Sequence, residues 1–276
     1  MYWQNLIVRV SILNNLYSIW RKIVPGWVEA FLWGLVVGSG LMMGVLISYF
    51  VNLPHRLIAA IMGFGGGVLI SVLAFELLEE AYIHGGLQFA ILGFFTGAIV
   101  FSGANWLISM AGGKHRKRCS ECIVQYGDHK KKSNELAIAI GSAMDDIPEA
   151  IIVGIALVGG GAISKAVLIG FFLANIPEGL ASASGMKQSG RSALYIFGVW
   201  GGITFLTGIG GVLGYSVFGS YPESVIAFIT ALAAGGILSM VAETMIPEAF
   251  EESQSFIGFI TALGFMTFYM LIKTGW

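Results

Sequence analysis

The sequence predicts an all-α, polytopic membrane protein, and three observations carry that reading. Of its 276 residues, 56% are hydrophobic and only 11% are charged, whereas soluble domains carry about 25% charged residues. Apolar stretches of about 20 residues, the length a spanning helix needs, recur along the chain. Glycine is abundant at 39 residues and proline scarce at 6, which suits helices packed backbone to backbone. A formal net charge of −1 leaves no electrostatic case for nucleic-acid binding.

The first segment, 1–26, reads as an N-terminal amphipathic helix lying in the membrane interface. Tyr2, Trp3, Leu6, Ile7, Val8, Ile12 and Leu13 are mixed there with Asn5, Arg9, Asn14 and Asn15, as an interfacial helix requires. An extra span is the competing reading. The stretch lacks a basic n-region and a small-residue cleavage site, so it does not read as a cleaved signal peptide.

Residues 27–273 form a single transmembrane domain. Hydropathy places spans at about 29–50, 57–80, 87–110, 135–158, 164–186, 193–217, 225–249 and 255–273. That makes eight core helices. The one long polar segment, 111–134, separates the third from the fourth. It holds Lys114, Arg116, Lys117, Arg118, Lys130, Lys131 and Lys132. Placing it in the cytoplasm puts Arg56, Lys187 and Arg191 on the same side, and the excess of basic residues then lies inside. The protein is therefore expected in a plasma or inner cell membrane. Within the loop, Cys119 and Cys122 (spaced CxxC), His115 and His129 offer two thiolates and two imidazoles, a candidate zinc set. A solvated loop with a reduced cysteine pair is the alternative.

Glycines cluster on the first span (Gly34, Gly38, Gly40, Gly44), the second (Gly63, Gly65, Gly66, Gly67) and the sixth (Gly198 to Gly214). Such faces let helix backbones approach closely.

The informative residues are carboxylates in the middle of apolar spans. The fourth span reads Gly141-Ser-Ala-Met-Asp145-Asp146-Ile-Pro148-Glu149-Ala, and the fifth Ala174-Asn175-Ile-Pro177-Glu178-Gly179. Asp145 and Glu149 are four apart, and Asn175 and Glu178 three apart, so each pair shares a helix face. Ionisable groups inside a membrane are costly and mark functional sites. No Lys or Arg falls at mid-span to neutralise these acids, so they must be protonated, hydrated or bound to cations. Carboxylate and amide oxygens in this number suit hard and borderline divalent cations. Three of the prolines precede a glutamate directly: Pro148-Glu149, Pro177-Glu178 and Pro247-Glu248. Each removes an N–H and frees the carbonyl four residues back, as happens where helices line a membrane cavity. Ser142, one turn before Asp146, and Met144 are marginal candidates beside the site. Further out, Glu76 precedes Glu79 and Glu80, and Glu243 precedes Glu248, Glu251 and Glu252. Glu76 and Glu243 are expected to lie deepest, with Glu76 receiving ions at the outer mouth. The four end acids Glu79, Glu80, Glu251 and Glu252 read as solvated helix ends.

These residues together resemble the ZIP (Zrt/Irt-like) divalent-metal transporters. The resemblance rests on the basic loop at 111–134, on Asp145-Asp146-Ile-Pro148-Glu149-Ala150, and on Asn175-Ile-Pro177-Glu178-Gly179. The endings Glu76-Leu-Leu-Glu79-Glu80-Ala81 and Glu243-Thr-Met-Ile-Pro247-Glu248-Ala249 add to it. It covers nearly all of 27–273. It implies a 3+2+3 helix arrangement, a homodimer, and a two-metal site between the fourth and fifth helices. The metal residues it implies are Asp145, Asp146, Glu149, Asn175 and Glu178, with Glu243 completing the second position. Where the family carries a His and an Asn on the fourth helix, this chain has Asp145 and Asp146; on the fifth, Ala174 replaces a His or Gln. The four histidines all lie near loops. Losing imidazole and gaining carboxylate hardens the site. Iron(II), manganese and even magnesium therefore compete with zinc as substrate, and cadmium is a further candidate.

The expected function is transport of a divalent metal ion towards the cytoplasm. No organic cofactor is expected, and no nucleophile–base arrangement suggests an enzyme. Proton-coupled transport of another solute, with the acids relaying protons, is one alternative. A metal-sensing membrane protein working through the loop cysteines is the other.

Overall fold

The computed structural model describes residues 24–108, 110, 128–161, 163–188, 190–253 and 256–274. It is all-helical, with no strand among the described residues. The expected N-terminal helix, and Cys119, Cys122 and His115 of the loop, lie outside those residues, as does the side chain of His129.

Helix α1 runs Gly26–Phe50 and α2 His55–Val72; a wider π turn, Leu73–Leu77, leads into α3, Leu78–Ile108. Helices α4 (Asp128–Ala156), α5 (Lys165–Gln188) and α6 (Ala193–Phe218) follow. Helix α7 (Glu223–Met240) passes through a second π turn, Val241–Met245, into α8 (Ile246–Ser253), and α9 is Ile257–Lys273. Pro25, Pro54 and Pro222 each stand immediately before a helix, where a missing N–H breaks no intrahelical bond. Pro148 and Pro177 are instead carried inside α4 and α5, which continue through them.

Among the described residues, five helical runs are long and apolar enough to cross a membrane: 26–50, 55–108, 165–188, 193–218 and 223–251. Ile257–Lys273 is apolar but shorter. The run 55–108 has 54 residues, about 80 Å at 1.5 Å per residue, and exceeds one bilayer. It is interrupted at Gly86 (φ 71, ψ 176), between the second and third expected spans. Helix α4 is absent from the five because Asp145, Asp146 and Glu149 make its core too charged.

Reciprocal glycines build the main crossings. Helices α1 and α5 meet at Gly44 and Gly179, which face the carbonyls of Ile176 and Leu41. Helices α1 and α6 meet at Gly34 and Gly211, and α4 and α6 at Gly154 and Gly214. Gly67 and Gly264 join α2 to α9, and Gly97 and Gly235 join α3 to α7. At each, an added Cβ would collide with a carbonyl oxygen of the partner helix. Not every predicted glycine face is used this way: Gly198, Gly201 and Gly202 meet nothing within 4 Å. Helix α5 also lies along α2, where Gly65 abuts the ring of Pro177. The acid-bearing segment of α5 is thus clamped between α1 and α2, while α4 is held by α6 and α1.

Candidate metal site

On α4, Ser142, Asp145, Asp146 and Glu149 recur at i, i+3, i+4 and i+7 and form one stripe. All four are buried, and Asp146 is wholly so. On α5 the same spacing gives Asn175, Glu178, Gly179 and Ser182, again all buried. The two stripes meet through one hydrogen bond, in which Ser142 Oγ donates to Glu178 Oε1 at 2.7 Å. Ser142, only a marginal candidate in the sequence, thus bridges from α4 to α5. Asn175 is oriented by α1, donating through Nδ2 to the carbonyl of Val37 at 3.3 Å. Gly40 of α1 leaves the room for that approach, since a Cβ there would come within 3.1 Å of the Asn175 Cβ.

Asp145 lies on the edge of its stripe. With Met144 and Pro148 it lines a mostly apolar cavity of about 100 Å³ bounded by Gly97 and Phe101 of α3 and Gly236 and Met240 of α7. Asp145 therefore borders the α3–α7 pair, and Glu178 the α4–α5 contact. Among the described residues no three His, Cys, Asp or Glu side chains converge into a group that could hold a metal ion.

Glu243 lies elsewhere. It sits in the second π turn, is exposed at the helix surface, and is held by α3: Ser102 Oγ donates to its Oε1, and Asn105 Nδ2 to its Oε2 at 2.8 Å. Pro247 has no N–H to offer the Glu243 carbonyl four residues back, which accords with the helix widening there. Glu76 lies in the other π turn. Such turns are rare and recur at functional sites; both of these carry an acid.

Glu76 lines a cleft of about 390 Å³ with Glu79, Glu80 and His84. The cleft is also lined by the C-terminal end of α4 (Ile152, Val153, Ala156) and by the start of α5 with the residues before it (Ile163, Ser164, Val167). Glu149 is one turn below Ile152 and Val153, so the cleft opens above the α4 stripe. At its rim His84 Nδ1 lies 4.0 Å from Glu223 of α7.

Three participants escaped the sequence reading. Glu29 on α1 is a buried acid near a span edge; Glu248 on α8, singled out in its proline–glutamate motif, is buried too. Ser102 and Asn105 are a polar pair three apart in an otherwise apolar span, a signal the sequence does contain. Their partner, 141 and 138 residues away, it does not reveal.

No protein-family model matches the chain. A protein of Arabidopsis thaliana, named as a candidate zinc transporter, is 25% identical to it over 246 residues, 84% of this chain and 36% of that protein. The chain thus spans about a third of its relative's length.

Proposed function

We propose that this chain carries a divalent metal ion across a membrane, towards the cytoplasm, by way of Asp145, Asp146, Glu149, Asn175 and Glu178. Ser142 supports Glu178, Met144 borders Asp145, Glu243 assists from α7, and Glu76 receives the ion in the cleft. The observation that carries this reading is the pair of buried oxygen stripes on α4 and α5. Buried charge on this scale is tolerated when a cation neutralises it. The relative's name supports zinc as the substrate. The absence of histidine from both stripes keeps manganese and iron(II) in competition. The metal is cargo in this reading, so the protein is a carrier rather than an enzyme, acting as the homodimer the family resemblance implies.

Uptake into proteoliposomes tests it, with zinc, manganese, iron(II), cadmium and magnesium supplied in turn. Uptake of at least one ion, abolished by Glu149→Ala and by Glu178→Ala in folded protein, is the expected result. Unchanged uptake in both variants would show that the acids serve another purpose.

A further inference from the structure

We infer that Ser182 is a further ligand for the transported cation, one turn beyond Glu178 on the side of the site away from the carboxylate cleft. The inference rests on the metal-carrying role proposed above.

Hydroxyl groups inside helices ordinarily bond to a carbonyl three or four residues back. This protein follows the rule repeatedly: Ser39, Thr96, Thr207 and Thr244 donate to Val36, Leu92, Thr204 and Met240, each at 2.6 Å. Ser182 departs from it. The residue is 2% exposed, and its Oγ has no hydrogen-bond partner among the described residues. Buried hydroxyls are nearly always satisfied, so one with no hydrogen-bond partner points to a partner of another kind. Two other buried hydroxyls share this property, Ser71 and Thr261. They lie on α2 and α9, and neither helix contributes a carboxylate to the stripes.

The position of Ser182 identifies the partner. At about 100° per residue, Ser182 projects about 40° from Glu178 around α5, and Asn175 about 60° in the same sense. Ser182 therefore falls in the sector between Glu178, which accepts from Ser142 of α4, and Asn175, which donates to α1. It lies about 6 Å further along the axis, towards the C-terminal end of α5, while the cleft of Glu76 opens at the N-terminal end. A cation leaving the acids in that direction meets the Ser182 oxygen next. A neutral hydroxyl binds hard and borderline divalent ions weakly, which suits a point of departure.

Replacement by cysteine tests this with little change of volume. In full-length protein in proteoliposomes, Ser182→Cys should shift the cadmium-to-manganese uptake ratio by about tenfold towards cadmium, since thiolate prefers the softer ion. The same variant should add a cadmium–thiolate absorption band relative to the unaltered protein, a difference that cancels any signal from Cys119 and Cys122. Ser182→Ala should lower the uptake rate several-fold with thermal unfolding unchanged. If the unaltered protein takes up metal and loses it with Glu178→Ala, yet Ser182→Cys adds no band and leaves the ratio unchanged, the Ser182 inference alone is overturned. If the unaltered protein takes up no divalent ion, the transport reading fails and Ser182 with it.

Discussion

Gly44→Ala should weaken the protein at the crossing that holds the α5 stripe. A Cβ on Gly44 would collide with the Ile176 carbonyl oxygen and stand 2.6 Å from the Leu180 nitrogen and 3.1 Å from the Gly179 carbonyl carbon. Close carbon–oxygen contacts settle at about 3.3–3.6 Å, so the Gly44 Cβ and the Ile176 oxygen must part by roughly 1.2–1.5 Å. Overpacking of this kind costs about 1–3 kcal/mol. For a chain of this size each kcal/mol moves Tm by about 2–4 °C, so a fall of about 2–12 °C is expected. The same parting stretches the Asn175–Val37 hydrogen bond, already 3.3 Å, and should reduce metal affinity as well. Gly202→Ala is the control. Nothing lies within 4 Å of its Cβ, and an alanine in an open helical position is favourable by about 0.5–1 kcal/mol. Thermal unfolding of the purified variants in one detergent decides the matter. Equal Tm values for the two would refute the claim that close glycine contacts, rather than glycine content, hold these helices together.

Two further outcomes are expected. Gly86→Ala should cost about 1–3 kcal/mol with no steric clash, because φ 71 and ψ 176 form a region reserved for glycine while no atom lies within 4 Å of the added carbon; denaturation of the variant checks it. Glu76→Gln combined with Glu80→Gln should raise the apparent KM for metal uptake several-fold and flatten its dependence on ionic strength, with the maximal rate unchanged, because a negative cleft concentrates cations without binding them tightly.

The α4 and α5 acids were legible because their signal is local. A carboxylate at the centre of an apolar span must be buried, whatever the rest of the chain does, and Asp146, Glu149 and Glu178 are buried. The exposure of Glu243 was not legible. It depends on where α7 meets α3, and on a π turn that moves every later side chain around the axis by one residue's worth of rotation. Composition records neither. Glu29 escaped for a related reason: an acid near a span end reads as unremarkable, and only the packing of other helices over it shows that it is buried. The glycine clusters were read correctly as packing faces on α1 and α2. On α6, Gly208, Gly210, Gly211 and Gly214 make contacts while Gly198, Gly201 and Gly202 make none, a distinction the sequence pattern does not contain.

The way these acids are held bears on what they can do. Between Gly141 and Met186 the only basic residue is Lys165, the first residue of α5. Ser142 donates to Glu178, and Ser102 and Asn105 donate to Glu243, so each acid has at least one neutral donor. A neutral donor orients a carboxylate without cancelling its charge, whereas a lysine or arginine in the same place would cancel it and leave little field for a cation. Like charges also resist being drawn together. Four acids spread along two stripes, with Asp145 facing α3 and α7 and Glu178 facing α4, are therefore the arrangement expected of groups that share negative charge. An arriving divalent ion reverses that preference, because it makes convergence of the same oxygens favourable. Under the proposed function, the energy for any closure of α4 onto α5 would then come from the ion itself, a property a carrier needs and a fixed structural ion pair lacks.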